Sequence, residues 1–334
     1  AGPGDPGLLT VRGAELLARA DVVVYDRLSA PGLLDLAPPG CERINVGKDP
    51  DGRSTPQSEI NTLLVERGTR VGCVVRLKGG DPFVFARGGE EMEALAAAGI
   101  DVEVVPGITS ALAVPAYAGI PVTRRFSSTA FTVVTGHEDP TKDDDGVDWG
   151  SLAGVGGTIV VLMGVGNIAS IARRLIDGGR APDTPVAAIR WGTRPDQSSQ
   201  IATLATVTTL ALAPPTTFVI GDVVGHALNW FERRPLFGRR IVITRRPEQS
   251  SALRDRLVER GAETIVVPTI EIVDAPDGGA ALSELAAELE TIDWVVLSSP
   301  NAAQRFLDTV GDPRLLAGVR LAAIGPGSAA VLAL

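Results

Sequence analysis

The stretch Arg76-Leu77-Lys78-Gly79-Gly80-Asp81-Pro82-Phe83-Val84-Phe85-Ala86-Arg87-Gly88-Gly89-Glu90-Glu91 decides how this chain folds. It opens on the end of a short apolar run, Cys73–Leu77, with the length and β-branched content of a strand. Gly79 and Gly80 follow at once, and a glycine pair permits positive φ and close backbone approach. Asp81 then places a carboxylate acceptor at the turn, suited to a hydroxyl or an amine. A helical pattern runs from Gly89 to Ala98. Strand, glycine turn and helix in that order make one unit of an α/β chain. The turn is not a P-loop, because no Gly-Lys-Ser/Thr follows the glycines.

The same alternation extends outward. Val22–Tyr25, Val102–Val105, Phe131–Val134, Thr158–Leu162, Pro185–Ile189 and Thr217–Ile220 read as strands. Between them Thr10–Ala20, Thr109–Ala118, Asn167–Asp177 and Val223–Glu232 read as helices, with Thr10 as an N-cap. A fresh pattern starts after Phe231-Glu232-Arg233-Arg234-Pro235. Its strands are Arg240–Thr244, Thr264–Val267, Trp294–Leu297 and Val319–Ile324. Its helices are Glu248–Arg260, Ala280–Leu289 and Asn301–Leu307, and a turn Gly325-Pro326-Gly327 follows the last strand. The expected division is therefore 1–234 and 235–334. The pattern is still running at Leu334, so the second unit is expected to be truncated; the start without Met, inside a glycine-rich turn, points to residues upstream of Ala1.

Gly2-Pro3-Gly4-Asp5-Pro6-Gly7 matches the dinucleotide fingerprint G-x-G-x-x-G, with Asp21 near the expected distance. The chemistry argues otherwise. That fingerprint offers backbone N–H groups to a pyrophosphate, and Pro3 and Pro6 have none. A rigid turn follows, either packed against a flat, mostly uncharged ligand or simply joining a strand to a helix.

Composition narrows the function classes. Of 334 residues, 45% are apolar, enough for a core; the 38 glycines and 24 prolines fall short of low complexity and belong in functional loops. A net charge of −9 argues against nucleic-acid binding. Cys41 and Cys73 fit neither a zinc spacing nor a disulfide framework, which suits a reducing cytoplasm. His137 and His226 are too few for a histidine metal site. No apolar run reaches transmembrane length, and no signal peptide is visible. Asp143-Asp144-Asp145 reads as a solvated loop.

Taken together, Gly2–Thr10, Val23-Val24-Tyr25-Asp26-Arg27-Leu28, Val46-Gly47-Lys48 and the Lys78–Pro82 segment resemble uroporphyrinogen-III C-methyltransferase. So do Val105–Ser110, Gly119-Ile120-Pro121-Val122-Thr123, Thr135-Gly136-His137 and Leu162-Met163-Gly164, in order over roughly residues 1–232. The resemblance implies the tetrapyrrole methyltransferase fold: two α/β lobes with S-adenosyl-L-methionine between them, in a homodimer. It implies C-methylation of uroporphyrinogen III to precorrin-2, towards sirohaem and cobalamin, with S-adenosyl-L-homocysteine released.

Carried over residue by residue, the resemblance puts Pro3, Gly79, Gly80, Asp81, Val84, Thr109, Ser110, Met163 and Gly192 at the donor. Asp26 matches the family's proposed proton acceptor and Lys48 its proposed donor, although Lys48 equally suits a substrate carboxylate. The substrate is a polycarboxylate, so an acidic protein must offer it local arginines. Arg27, Arg87 and Arg124 are the candidates, with Lys48 and Arg125 beside them. The sequence departs from the family at Arg124, where His is common, at Ala86, where Gly is common, and in lacking the family's first strand before Ala1. His137 reads as structural.

Ile241–Pro247, Val267–Glu271, Asp293–Ala302 and Ala323–Ser328 resemble uroporphyrinogen-III synthase, whose product is the methyltransferase's substrate. Only part of that fold is present, so no synthase activity is expected. Ser298, Ser299 and Asn301 suit either substrate carboxylates or a helix cap. The expected architecture is α/β: a two-lobed methyltransferase followed by a partial α/β synthase domain. The expected protein is a cytoplasmic, S-adenosylmethionine-dependent enzyme with no metal and no nucleic-acid or membrane partner. Two alternatives stand beside it: a methyltransferase of the same fold acting on a later corrin intermediate, and a non-catalytic donor-binding scaffold.

Overall fold

The structure is a computed structural model describing residues 1–26, 31–47, 55–137 and 146–333. Arg27, Lys48 and the Asp143–Asp145 run lie outside the described residues. Contacts divide the chain into two units: Ala1–Ile243 with Pro247–Val267, and Thr244–Arg246 with Pro268–Leu334.

The first unit begins with α1 (Val11–Leu17), capped as expected by Thr10, whose hydroxyl accepts the Gly13 amide at 3.1 Å. β1 (Val22–Tyr25), β2 (Glu42–Asn45), α2 (Gln57–Gly68), β3 (Val74–Leu77) and α3 (Gly88–Ala97) follow. The three strands form a parallel sheet in the order β2-β1-β3. β1 is central and apolar throughout because both its faces are covered, as parallel strands require. Val23 packs with Leu17, Leu33 and Leu77 on one side; Val22 and Val24 pack with Ile60 and Leu64 of α2 on the other.

Next come α4 (Ser110–Tyr117), β4 (Phe131–Thr135), α5 (Trp149–Gly154), β5 (Thr158–Leu162), α6 (Ile168–Asp177), β6 (Pro185–Arg190), β7 (Ser198–Thr203) and β8 (Thr216–Ile220). They build a five-stranded sheet, β4-β5-β8-β6-β7. β4 and β5 run parallel, while β8 runs antiparallel to both β5 and β6. α6 buries Ile168, Ile171, Ala172 and Leu175, the spacing of one helix face. That stripe packs with Ile159, Val161, Phe218 and Ile220 on one face of the sheet. Val114 and Ala118 of α4 cover Ala187, Ile189 and Val219 on the other.

β9 (Arg240–Ile243), α7 (Pro247–Glu259) and β10 (Glu263–Val266) make a βαβ unit with parallel strands. The second unit holds α8 (Ala280–Ala287), β11 (Trp294–Leu297), α9 (Pro300–Val310), β12 (Arg320–Ala323) and α10 (Pro326–Leu332), with β11 parallel to β12. Leu289, Leu297, Ala303, Phe306 and Val310 form its core. Ser299 caps α9 through the Ala302 amide at 3.1 Å, so the cap reading of that cluster holds for Ser299.

Four sequence expectations change. Val102–Val105 joins no ladder; the segment leads directly into the loop before α4. Val223–Glu232 is not a helix: a 3-10 turn, Asp222–His226, stops there and the chain leaves it in open loop. The turn at Gly325-Pro326-Gly327 is confined to Gly325, at φ 95°; α10 begins at once, with proline at its first position. β2, β7, α2 and α5 were not anticipated. β2 and β7 are edge strands with polar sequences, so neither shows the apolar alternation that marks a strand.

Candidate active site

The C-terminal ends of β1, β3, β5 and β6 and the N-terminal end of β8 open onto one cleft of about 1870 Å³. Ligands of open α/β sheets bind beyond the carboxyl ends of strands, where loops are free to specialise. Pro3, Gly79, Gly80, Asp81, Val84, Thr109, Ser110, Met163 and Gly192 all line this cleft, as do Asp26 and Arg87. Arg124 does not join them. Its Nη1 lies 2.6 Å from His226 Nε2, in a surface hairpin where Arg124 pairs with Ser128. His137 does line the cleft.

Backbone contacts fix the loops. Gly2 and Gly80 form a two-residue bridge, the Gly80 amide donating to Gly2 O at 2.8 Å. Asp81 has less free acceptor capacity than its sequence suggests. Its Oδ1 accepts the Phe83 amide at 2.8 Å and its Oδ2 the Gly107 amide at 2.9 Å. Gly107 is required there: a Cβ would stand 2.3 Å from Gly80 O. Gly192 is equally constrained, since a Cβ would stand 2.4 Å from Val114 Cγ1. Among the described residues six non-glycines have positive φ, and five of them, Phe85, Arg87, Met163, Trp191 and Thr193, line the cleft. Such conformations cost energy and gather where surrounding structure imposes them for a purpose.

The first loop is tied across the sheets. Asp5 Oδ1 accepts the Gly7 amide at 2.7 Å, Oδ2 accepts the Tyr117 hydroxyl at 2.7 Å, and the Asp5 amide donates to Thr193 Oγ1 at 3.0 Å. Burial, and then the bond to Asp5, push the Tyr117 phenol well above its ordinary value, so it stays a donor. The Thr193 amide donates in turn to Gln197 Oε1 at 2.9 Å. The proline-containing turn is therefore rigid and serves as a wall of the cleft.

A charged network forms part of the wall: Gln57, Arg76 and Lys78 line the cleft and Glu91 does not. Arg76 and Lys78, two apart at the end of β3, point to one side, as strand periodicity dictates. Lys78 Nζ lies 2.9 and 3.0 Å from the two Glu91 oxygens, and Arg76 Nε lies 3.2 Å from Glu91 Oε1. Arg76 Nη2 also faces Asp26 Oδ2 at 3.6 Å. Gln57 Nε2 donates to Glu91 at 3.2 Å. Lys78 and Glu91 are buried, 8% and 4% exposed. Burial, ahead of the neighbouring Arg76 charge, lowers the Lys78 pKa despite its carboxylate partner. The sequence reading missed this network, along with Asp5, Trp191 and Thr193; the i, i+2 spacing of Arg76 and Lys78 was its one visible sign. No cluster of metal-ligating side chains occurs among the described residues.

This glycine-walled cleft at the strand ends has close relatives. The family profile of tetrapyrrole (corrin/porphyrin) methylases matches residues 1–208. The chain belongs to that family. A second profile, uroporphyrinogen-III synthase HemD, matches residues 251–333 of this tetrapyrrole methylase. The methylase is 54% identical over 228 residues to the S-adenosyl-L-methionine-dependent uroporphyrinogen III methyltransferase of Methanosarcina barkeri, covering 67% of this chain and 89% of that protein. It is 40% identical over 342 residues to the porphyrin biosynthesis protein HemD of Ruminiclostridium josui, covering 99% of this chain and 68% of that protein. Uroporphyrin-III C-methyl transferase from Thermus thermophilus, complexed with S-adenyl homocysteine, superposes with a TM-score of 0.58 at 40% identity, over 67% of this chain and 90% of that one.

Proposed function

We propose that this tetrapyrrole methylase transfers methyl groups from S-adenosyl-L-methionine to pyrrole carbons of uroporphyrinogen III, giving precorrin-2 and S-adenosyl-L-homocysteine. One observation carries the reading: a cleft at the strand ends lined by Pro3, Gly79, Gly80, Val84, Met163 and Gly192 also holds the carboxylate of Asp26. The relatives named above, whose printed names carry this donor and substrate, support it.

The cleft fits the donor. A side chain at position 80 would project into the space beside Thr109 and Ser110, 3.8 Å from the Ser110 amide, and Gly80 leaves that space open. Pro3, Val84, Met163 and Gly192 offer the uncharged walls that an adenosyl group takes, while Gly79, Gly80, Asp81, Thr109 and Ser110 offer acceptors and donors. When bound, the donor supplies an electrophilic methyl group on a sulfonium.

The chain's own residues do the rest. The walls hold the two substrates in contact, and orientation of that kind supplies much of the rate. Asp26 accepts the proton that the methylated ring releases, and its carboxylate stabilises the ring's positive charge beforehand. Arg87 serves a substrate carboxylate by exchanging it for Glu90, its present partner at 2.6 and 2.7 Å. Lys48 and Arg27 are assigned to the same polycarboxylate from the resemblance alone; Arg124, outside the cleft lining, is not.

We assign residues 1–234 to the methyltransferase and 235–334 to the synthase-like segment, the division supported by the two profile matches. The reading extends to a cytoplasmic homodimer. It is supported by two free cysteines and by exposed Phe83, Phe85, Met92 and Leu112; no described helix is long and apolar enough to cross a membrane. Calorimetric titration with S-adenosylhomocysteine, and with NADH for comparison, tests the donor. Micromolar binding of the first alone is expected. Parallel product masses on uroporphyrinogen III and later corrin intermediates test the acceptor.

A further inference from the structure

Asp26 and its ion-pair partner Arg76 both line the cleft, while Glu91, the other carboxylate Arg76 faces, does not. Arg76 spans the gap between two carboxylates. Its Nη2 faces Asp26 at 3.6 Å and its Nε faces Glu91 at 3.2 Å, while its Nη1 donates to the Leu77 carbonyl at 3.1 Å. Glu91 does not line the cleft; its side chain is 5% exposed and it also takes both oxygens to Lys78. A carboxylate this deep is retained only when paired. Here one cation, Lys78, occupies both its oxygens, so Arg76 is an additional partner whose Nη2 is turned to Asp26.

We infer that Glu91 is a positioning residue for the methyl-transfer reaction: it anchors Arg76, and Arg76 orients the Asp26 carboxylate toward the ring that loses its proton. The inference rests on the reading of Asp26 as proton acceptor. The methylated ring carbon is quaternary, so the proton comes from an N–H or neighbouring C–H bond of the cationic ring system, whose electron pair stays behind and neutralises the ring; the H⁺ binds an Asp26 carboxylate oxygen and passes to water when product leaves. Arg76 keeps its proton throughout. Among the described residues, the charges that act on Asp26 include Arg76 of β3, Lys78 just after it and the Ala1 amine, with Glu91 of α3 reaching it through Arg76. Arg27 and Lys48 lie outside the described residues.

The arrangement predicts opposite effects from removing the two partners. Losing the Glu91 charge leaves Arg76 and Lys78 uncompensated beside Asp26, which favours its ionised form. Losing the Arg76 charge does the reverse. The test is the pH profile of kcat/KM for methyl transfer by the full chain, with S-adenosylhomocysteine affinity measured alongside. In Glu91→Gln the acid limb should move down by about one pH unit, and in Arg76→Met it should move up by about as much. Both should lose about tenfold or more in kcat with donor affinity unchanged. Should Glu91→Gln not fold, the charge-balanced Glu91→Gln/Lys78→Met pair replaces it. That pair should keep donor affinity and lose kcat to the same degree.

Acid limbs that stay in place, or a charge-balanced pair with wild-type kcat, would overturn the inference. So would loss of donor binding in step with kcat, which marks a purely structural role. Asp26→Asn separates the two levels. If it abolishes the acid limb while the other variants leave theirs unmoved, the inference alone fails; if it retains wild-type turnover, the assignment of Asp26 fails first.

Discussion

Asp81 accepts the Gly107 amide at 2.9 Å, so the carboxylate that reads in the sequence as a ligand acceptor is also the clasp between two loops of the cleft. Both its oxygens are engaged by backbone donors, at Phe83 and Gly107. Asp81→Asn must turn an amide NH₂ toward one of them. A donor left without an acceptor costs about 1–3 kcal/mol when buried, and less at a partly exposed site such as this one. Thermal unfolding should register a loss of that smaller size, and S-adenosylhomocysteine should bind about tenfold or more weakly by calorimetry.

Gly192→Ala tests the tightest approach in the donor wall. The new methyl would stand 2.4 Å from Cγ1 and 2.6 Å from Cγ2 of buried Val114. Valine has little rotamer freedom in a helix with which to yield, and overpacking of this kind costs about 1–3 kcal/mol. Donor affinity should fall with stability, read by the same titration. Gly166→Ala, where a Cβ meets nothing within 4 Å, is the matched control.

The ion pair between Arg67 of α2 and Glu42 of β2 gives stability a pH dependence. Two hydrogen bonds, at 2.9 and 3.0 Å, hold the Glu42 carboxyl below its ordinary 4.5. Its folded pKa lies under its unfolded one, so the pair's contribution is present above 4.5 and lost as pH falls through the folded value. Glu42→Gln should therefore melt slightly below wild type at neutral pH, and the two should coincide at about pH 3. A difference in Tm that persists in acid would contradict the assignment.

Phe306 is 2% exposed at the centre of the second unit's core. Phe306→Ala should cost that unit about 3–5 kcal/mol. Limited proteolysis should then cut within residues 268–333 while S-adenosylhomocysteine binding by the first unit persists. Loss of binding together with loss of the second unit would contradict independent folding.

Much of this was legible in the sequence, for identifiable reasons. β1 and β5 were read to their ends because buried strands are continuous apolar runs. The residues that line the cleft at Gly79–Asp81 were legible because they sit on a glycine-marked turn. The edge strands β2 and β7 were not, since solvent-facing positions carry no apolar pattern. The Arg76–Glu91–Lys78 network was hidden because its members have ordinary surface chemistry until folding buries them. The Asp5–Tyr117 bond joins residues 112 apart, which no local pattern records.

The central claim is the reaction. Anaerobic incubation of the full chain with S-adenosylmethionine and uroporphyrinogen III, followed by product mass, tests it most directly. The account predicts gain of two methyl groups and stoichiometric S-adenosylhomocysteine. An unchanged tetrapyrrole mass, with the donor bound and the substrate intact, would contradict it.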